Sequence, residues 1–66
     1  RSMDERLEFY LKRAQEATAA STIEISHQQI ADELNSSREV ISRLLKKMEQ
    51  RGKVRLNRNS IDIISM

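Results

Sequence analysis

Cysteine, proline and tryptophan are missing from this 66-residue chain, and glycine and histidine occur once each, as Gly52 and His27. Without cysteine there are no disulfides and no thiolate metal sites, which fits a reducing, cytoplasmic setting. A lone histidine cannot assemble a His-rich metal centre, and no serine–histidine–aspartate arrangement surrounds it. One glycine cannot build a phosphate-cradling loop. No apolar run approaches the roughly 18 residues of a membrane span, and no signal-peptide pattern appears. A chain this short buries only about 60% of its unfolded surface, so its apolar residues serve one core and leave little room for an enclosed active-site pocket. These absences argue against an enzyme, a cofactor and a membrane partner. The chain opens on Arg1 rather than Met and reads as a piece of a longer protein.

Charge is present but unevenly spread. The formal net charge is +2. Residues 1–37 carry four basic side chains (Arg1, Arg6, Lys12, Arg13) against seven acidic ones. Residues 38–58 carry eight (Arg38, Arg43, Lys46, Lys47, Arg51, Lys53, Arg55, Arg58), opposed only by Glu39 and Glu49. A basic half suits a polyanion, since Lys and Arg displace counterions from phosphate. It is equally what a solvated face looks like.

Periodicity divides the chain into six elements of a single α+β, mostly α domain. Ser2 and Glu5 have the form of a capping box, followed by Met3, Leu7, Tyr10, Leu11 and Ala14 at helical spacing. This predicts a helix over 3–18, with Phe9 off its stripe and free to pack on a neighbour. Alternation and β-branching predict a short strand over 22–25. Ser26 and Gln29 form a second box opening a helix over 27–34, with Ile30, Ala31 and Leu34 inward. Asn35 tolerates the left-handed conformation of a tight turn. Ser36 or Ser37 then caps a helix over 37–51, and Glu39 can close a box with Ser36. Val40, Ile41, Leu44, Leu45 and Met48 form its apolar stripe, and Gly52 stops it. A hairpin over 54–63 follows. With Arg58 and Asn59 as a two-residue turn, Val54 faces Ile63 and Leu56 faces Ile61, which puts all four on one face. Arg58 is a poor residue for a type I′ turn, so the turn type stays open.

Two short helices across a tight turn, then a hairpin, describe a winged helix-turn-helix whose second helix enters the major groove. The small Ala31 lets that helix cross close by. Its outward residues are Ser37, Arg38, Glu39, Ser42 and Arg43. Arg38 and Arg43 can each donate twice to guanine, and Glu39 can accept from cytosine. A carboxylate facing phosphate is unfavourable unless it reads a base. The alternative is an ordinary Glu39–Arg43 surface pair four residues apart, worth a few tenths of a kcal/mol.

The run Ile30-Ala31-Asp32-Glu33-Leu34, followed by Ser36-Ser37-Arg38-Glu39-Val40-Ile41-Ser42-Arg43-Leu44-Leu45-Lys46, resembles the C-terminal domain of the Crp/Fnr family of bacterial transcription regulators. The likeness runs from about Ile23 to Ile63, and Arg38–Arg43 is its most diagnostic part. It implies sequence-specific binding to double-stranded DNA, with Arg38, Glu39, Ser42 and Arg43 reading a TGA-containing half-site. Arg38 before Glu39 is closer to the cyclic-AMP receptor type, and Ser42 beside Arg43 to the fumarate-nitrate type. Ser26 and Gln28 match phosphate contacts of the family, at a helix end that favours phosphate in any case. Plain capping explains them as well. Ser37, Lys46, Lys47, Lys53 and Arg58 complete the expected phosphate contacts, while His27 reads as a solvent-facing first-turn residue. The family has Gly where this chain has Asn35, and Gly-containing wing tips where it has Asn57-Arg58-Asn59. The resemblance further implies an N-terminal effector-sensing domain outside this chain, a homodimer at full length, and RNA polymerase as a candidate partner. The competing reading is a winged helix used for protein contact, which requires an apolar patch on the outer face of the third helix.

Overall fold

The computed structural model describes residues 2–66. Its elements run α1 (Met3–Thr18), β1 (Thr22–Ile23), α2 (His27–Glu33), α3 (Arg38–Gln50), β2 (Val54–Asn57) and β3 (Ser60–Ile63). The strands form one antiparallel sheet in the order β1-β3-β2. Three helices with such a sheet make a winged helix-turn-helix. The second helix and β1 end earlier than the periodicity suggests. Leu34 is the C-cap of α2, and Ile25 packs on the core from outside any strand.

Helix ends are set by local chemistry. Ser2, Ser26 and Ser37 cap the three helices, each accepting a backbone N–H three residues on. At α2 the box is complete, because Gln29 Oε1 accepts from the Ser26 N–H at 2.8 Å. At α3 the cap is Ser37 and not Ser36, so the residue three positions on is Val40, which has no acceptor to return. The box expected between Ser36 and Glu39 is absent, and Glu39 instead sits in the first turn, where a carboxylate favours the helix dipole.

The stops of α2 and α3 share one geometry. After α2, Asn35 takes φ 54°, its N–H donates to the Asp32 carbonyl, and the Ser36 N–H donates to Ala31. After α3, Gly52 takes φ 75°, its N–H donates to Glu49, and the Lys53 N–H donates to Met48. Both are Schellman motifs with a left-handed residue just past the cap. The first of them makes the tight turn that sets α3 across α2.

The core joins Leu7 and Leu11 of α1, Ile30, Ala31 and Leu34, Ile41, Leu44 and Leu45 of α3, and Ile23, Val54, Ile61 and Ile63. Ala31 is fully buried where α2 and α3 meet. Tyr10, Val40, Met48 and Leu56 are only half-buried, at the core's margin. Phe9 does not pack inward: it is 51% exposed, and Arg13 stacks over its ring.

The hairpin pairs Val54 with Ile63, Leu56 with Ile61 and Asn57 with Ser60, as the alternation predicts. Asn59 alone in the turn has positive φ, at 59°. A type I′ turn needs positive φ at both central residues, so this is not one, and Arg58 is spared the strain. Polar ties lock the layers. Arg6 donates to the Leu34 carbonyl, the Tyr10 hydroxyl donates to Glu33, and the Leu56 N–H on edge strand β2 donates to Glu49. Burial, with Glu33 as acceptor, pushes the Tyr10 phenol up to about 12.

Candidate nucleic-acid interface

The amphipathic pattern of α3 fixes what it shows to solvent. Ile41, Leu44 and Leu45 are buried, so at roughly 100° per residue the opposite side carries Glu39, Arg43, Lys46 and Gln50. All four are exposed. The ion pair found among the described residues joins Glu8 to Lys53, not Glu39 to Arg43. Both side chains of the anticipated surface pair are therefore left for other partners.

Arg38, the first residue of α3, takes a different place. With Ser26, His27, Asn57, Arg58 and Asn59 it lines a cleft of about 250 Å³ between the α2–α3 pair and the wing tip. Two guanidiniums, an imidazole, a hydroxyl and two amides meet there, and no carboxylate lines the cleft. Asn57, Asn59 and His27 are members the sequence did not mark. The amides flank Arg58 at the tip, and that adjacency is the signal that would have found them.

Ser42 departs from its expected outward position. It is half-buried, and its hydroxyl lies 2.8 Å from His27 Nδ1. His27 departs with it. It is not a solvent-facing residue but a half-buried one, and burial together with Arg38 holds its pKa below the ordinary value. Ser26 and Ser37 spend their oxygens as helix caps, keeping their O–H groups to donate, while Gln28 donates to Asp32.

The basic half divides in two. Lys47, Arg51 and Lys53 line a groove with Asp4 and Glu8 of α1. Lys53 donates to Glu8 at 2.6 Å, and that bond holds the Glu8 carboxyl below its usual range. Lys53, read from sequence as a phosphate contact, is thus a tie between α1 and the hairpin, and Lys47 lies on that same acidic side. Arg55 stands opposite Asp62 in the hairpin, and Arg38, Arg43, Lys46 and Arg58 remain for the face formed by α3 and the wing.

Helix, turn, helix and wing now stand in a defined order, and comparison with known proteins assigns it. Residues 5–66 match the family of Crp-like helix-turn-helix domains. The chain belongs to this family. Its fold is similar to that of a protein from Eubacterium rectale assigned as a transcriptional regulator of the Crp/Fnr family, at a TM-score of 0.95 and 34% identity. That match covers 98% of this chain and 30% of the other. The catabolite activator protein of Thermus thermophilus aligns at a TM-score of 0.83 and 25% identity, covering 91% of this chain and 28% of its own. The Crp-like domain therefore spans less than a third of either regulator. No curated protein matches the chain significantly. Family and fold are those of DNA-binding transcription regulators. No helix among the described residues is long and apolar enough to cross a membrane.

Proposed function

We propose that this Crp-like domain binds double-stranded DNA sequence-specifically, with the N-terminal half of α3 in the major groove and the wing tip against the backbone. The observation that carries this reading is the exposed, unpaired Glu39–Arg43 face of α3 beside a cationic cleft without carboxylates. A purely basic face would serve phosphate alone; a carboxylate amid cations is useful only where it accepts from a base. Arg43 and Glu39 read base edges, and Arg38 reaches them from the rim of the cleft. Lys46, Arg58 and the hydroxyls of Ser26 and Ser37 hold the backbone. Gln28 joins them with the amide hydrogen that its bond to Asp32 leaves free.

The half-site proposed is TGA-containing, on the strength of Arg38, Glu39 and Arg43. Within a longer regulator the domain would work beside an effector-sensing domain, in a homodimer on an inverted repeat, inside the cytoplasm. RNA polymerase is the partner such a regulator would address. A protein-docking role for α3 lacks the surface it needs. The large hydrophobic residues exposed among those described are Phe9 and Ile64, and neither is on α3.

Fluorescence anisotropy with a TGA-containing inverted repeat and its scramble, at two salt concentrations, tests the reading. A preference for the repeat that persists at the higher salt supports base reading. Equal, salt-sensitive binding to both leaves only backbone attraction.

A further inference from the structure

We infer that His27 is a proton-linked contact: its ring, held from behind by Ser42, takes up a proton when a backbone phosphate of duplex DNA enters the cleft between α2, α3 and the wing. This rests on the duplex-binding reading and adds a proton to its stoichiometry.

The geometry leaves the ring one free nitrogen. Nδ1 is 2.8 Å from Ser42 Oγ, so Nε2 is the nitrogen without a partner among the described residues. A hydroxyl can donate to neutral Nδ1 or accept from a protonated one, so the Ser42 bond survives either state. The ring can therefore change charge without losing its anchor, while Nε2–H stays available to an oxygen in the cleft.

The surroundings of the ring are cationic until a ligand arrives. From α3 it meets Arg38 and Ser42, and from the wing Arg58 shares the cleft. On α2 itself the carboxylates are at the far end and already engaged, Asp32 with Gln28 and Glu33 with Tyr10. Glu24 and Glu39 are exposed and do not line the cleft. Partial burial and Arg38 thus favour the neutral ring in the free domain. A phosphate reverses the balance. It offsets Arg38 and Arg58, accepts from Nε2–H, and stabilises the imidazolium. The proton comes from solvent.

The sign follows from linkage. With a bound-state pKa above the free one, the extra affinity is complete below the free pKa and is lost as pH rises through the bound pKa. Each unit of difference is about tenfold in Kd between the acid and alkaline limits.

His27 is the chain's only histidine, so its Hε1 resonance is unambiguous in proton NMR. The experiment is a pH titration of that resonance in the free 66-residue chain and in its complex with the TGA-containing duplex, with Kd measured in parallel at constant ionic strength. The expected free pKa is below 6.5, rising by about one unit or more in the complex. Kd should then tighten about tenfold per unit of that rise from pH 8 to pH 5, and His27→Gln should flatten the curve. Binding with an unmoved or lowered pKa, or with the same pH dependence in His27→Gln, overturns the proton link and leaves duplex recognition standing. A folded chain that binds no duplex at any pH overturns both. The NMR arm uses the native chain, so it decides the matter even if the variant misfolds.

Discussion

Glu39 and Arg43 were legible as a pair from their spacing alone, but spacing could not say whether they face each other or a ligand. The structure leaves them apart, so both side chains are free for the base edges proposed above. Arg43→Ala should cost roughly 1–3 kcal/mol on matched duplex and much less on the scramble. Lys46→Ala should weaken both duplexes alike and lower the salt slope by about one. Equal loss on both duplexes for Arg43→Ala, measured by anisotropy, would remove base reading from that side chain. Ser42 and His27 show where sequence runs out. Their bond links residues on two helices through a crossing angle, and no local pattern encodes it. Lys53 shows the same limit, since its Glu8 partner lies 45 residues away.

The helices and the hairpin register were readable because each depends on a local rule: a serine cap, an apolar stripe, or alternation closing on one face. The ends were readable wherever the residue past the cap had an evident freedom, as with Gly52 and Asn35. α1 ends at Thr18, as its spacing predicts, although the residue past it has no such freedom. Ala19 closes α1 at φ 54°, in the left-handed region, and is exposed. An alanine there strains against its own carbonyl, an effect of roughly 1–2 kcal/mol that glycine lacks. Ala19→Gly should therefore raise stability by about 1 kcal/mol despite glycine's greater unfolded entropy. Gly52→Ala should do the opposite by a similar amount. The site is open, with nothing within 4 Å of the added Cβ, so the cost is conformational alone. Thermal unfolding followed by circular dichroism checks both. A drop in Tm for Ala19→Gly would mean that entropy outweighs the strain.

At the scale of the molecule, net charge was a poor guide to the interface. The excess of basic residues in 38–58 is partly neutralised once α1 brings Asp4 and Glu8 against Lys47, Arg51 and Lys53. What remains is a compact body with principal extents of 26 × 25 × 24 Å. Half-sites read from one face of a duplex are centred about 34 Å apart. Two such domains, each docked through α3 as proposed, have extents narrower than that spacing. They should therefore fill an inverted repeat independently. Titration by anisotropy should give a Hill slope of about one, and moving the half-sites further apart by about five base pairs should leave each affinity unchanged, because nothing couples the two copies. The cooperativity of a complete dimeric regulator would then come from parts that hold two such domains together, raising the effective concentration of the second for its half-site. A Hill slope near two for this chain alone, abolished by the added spacing, would instead place a protein–protein contact between the domains themselves.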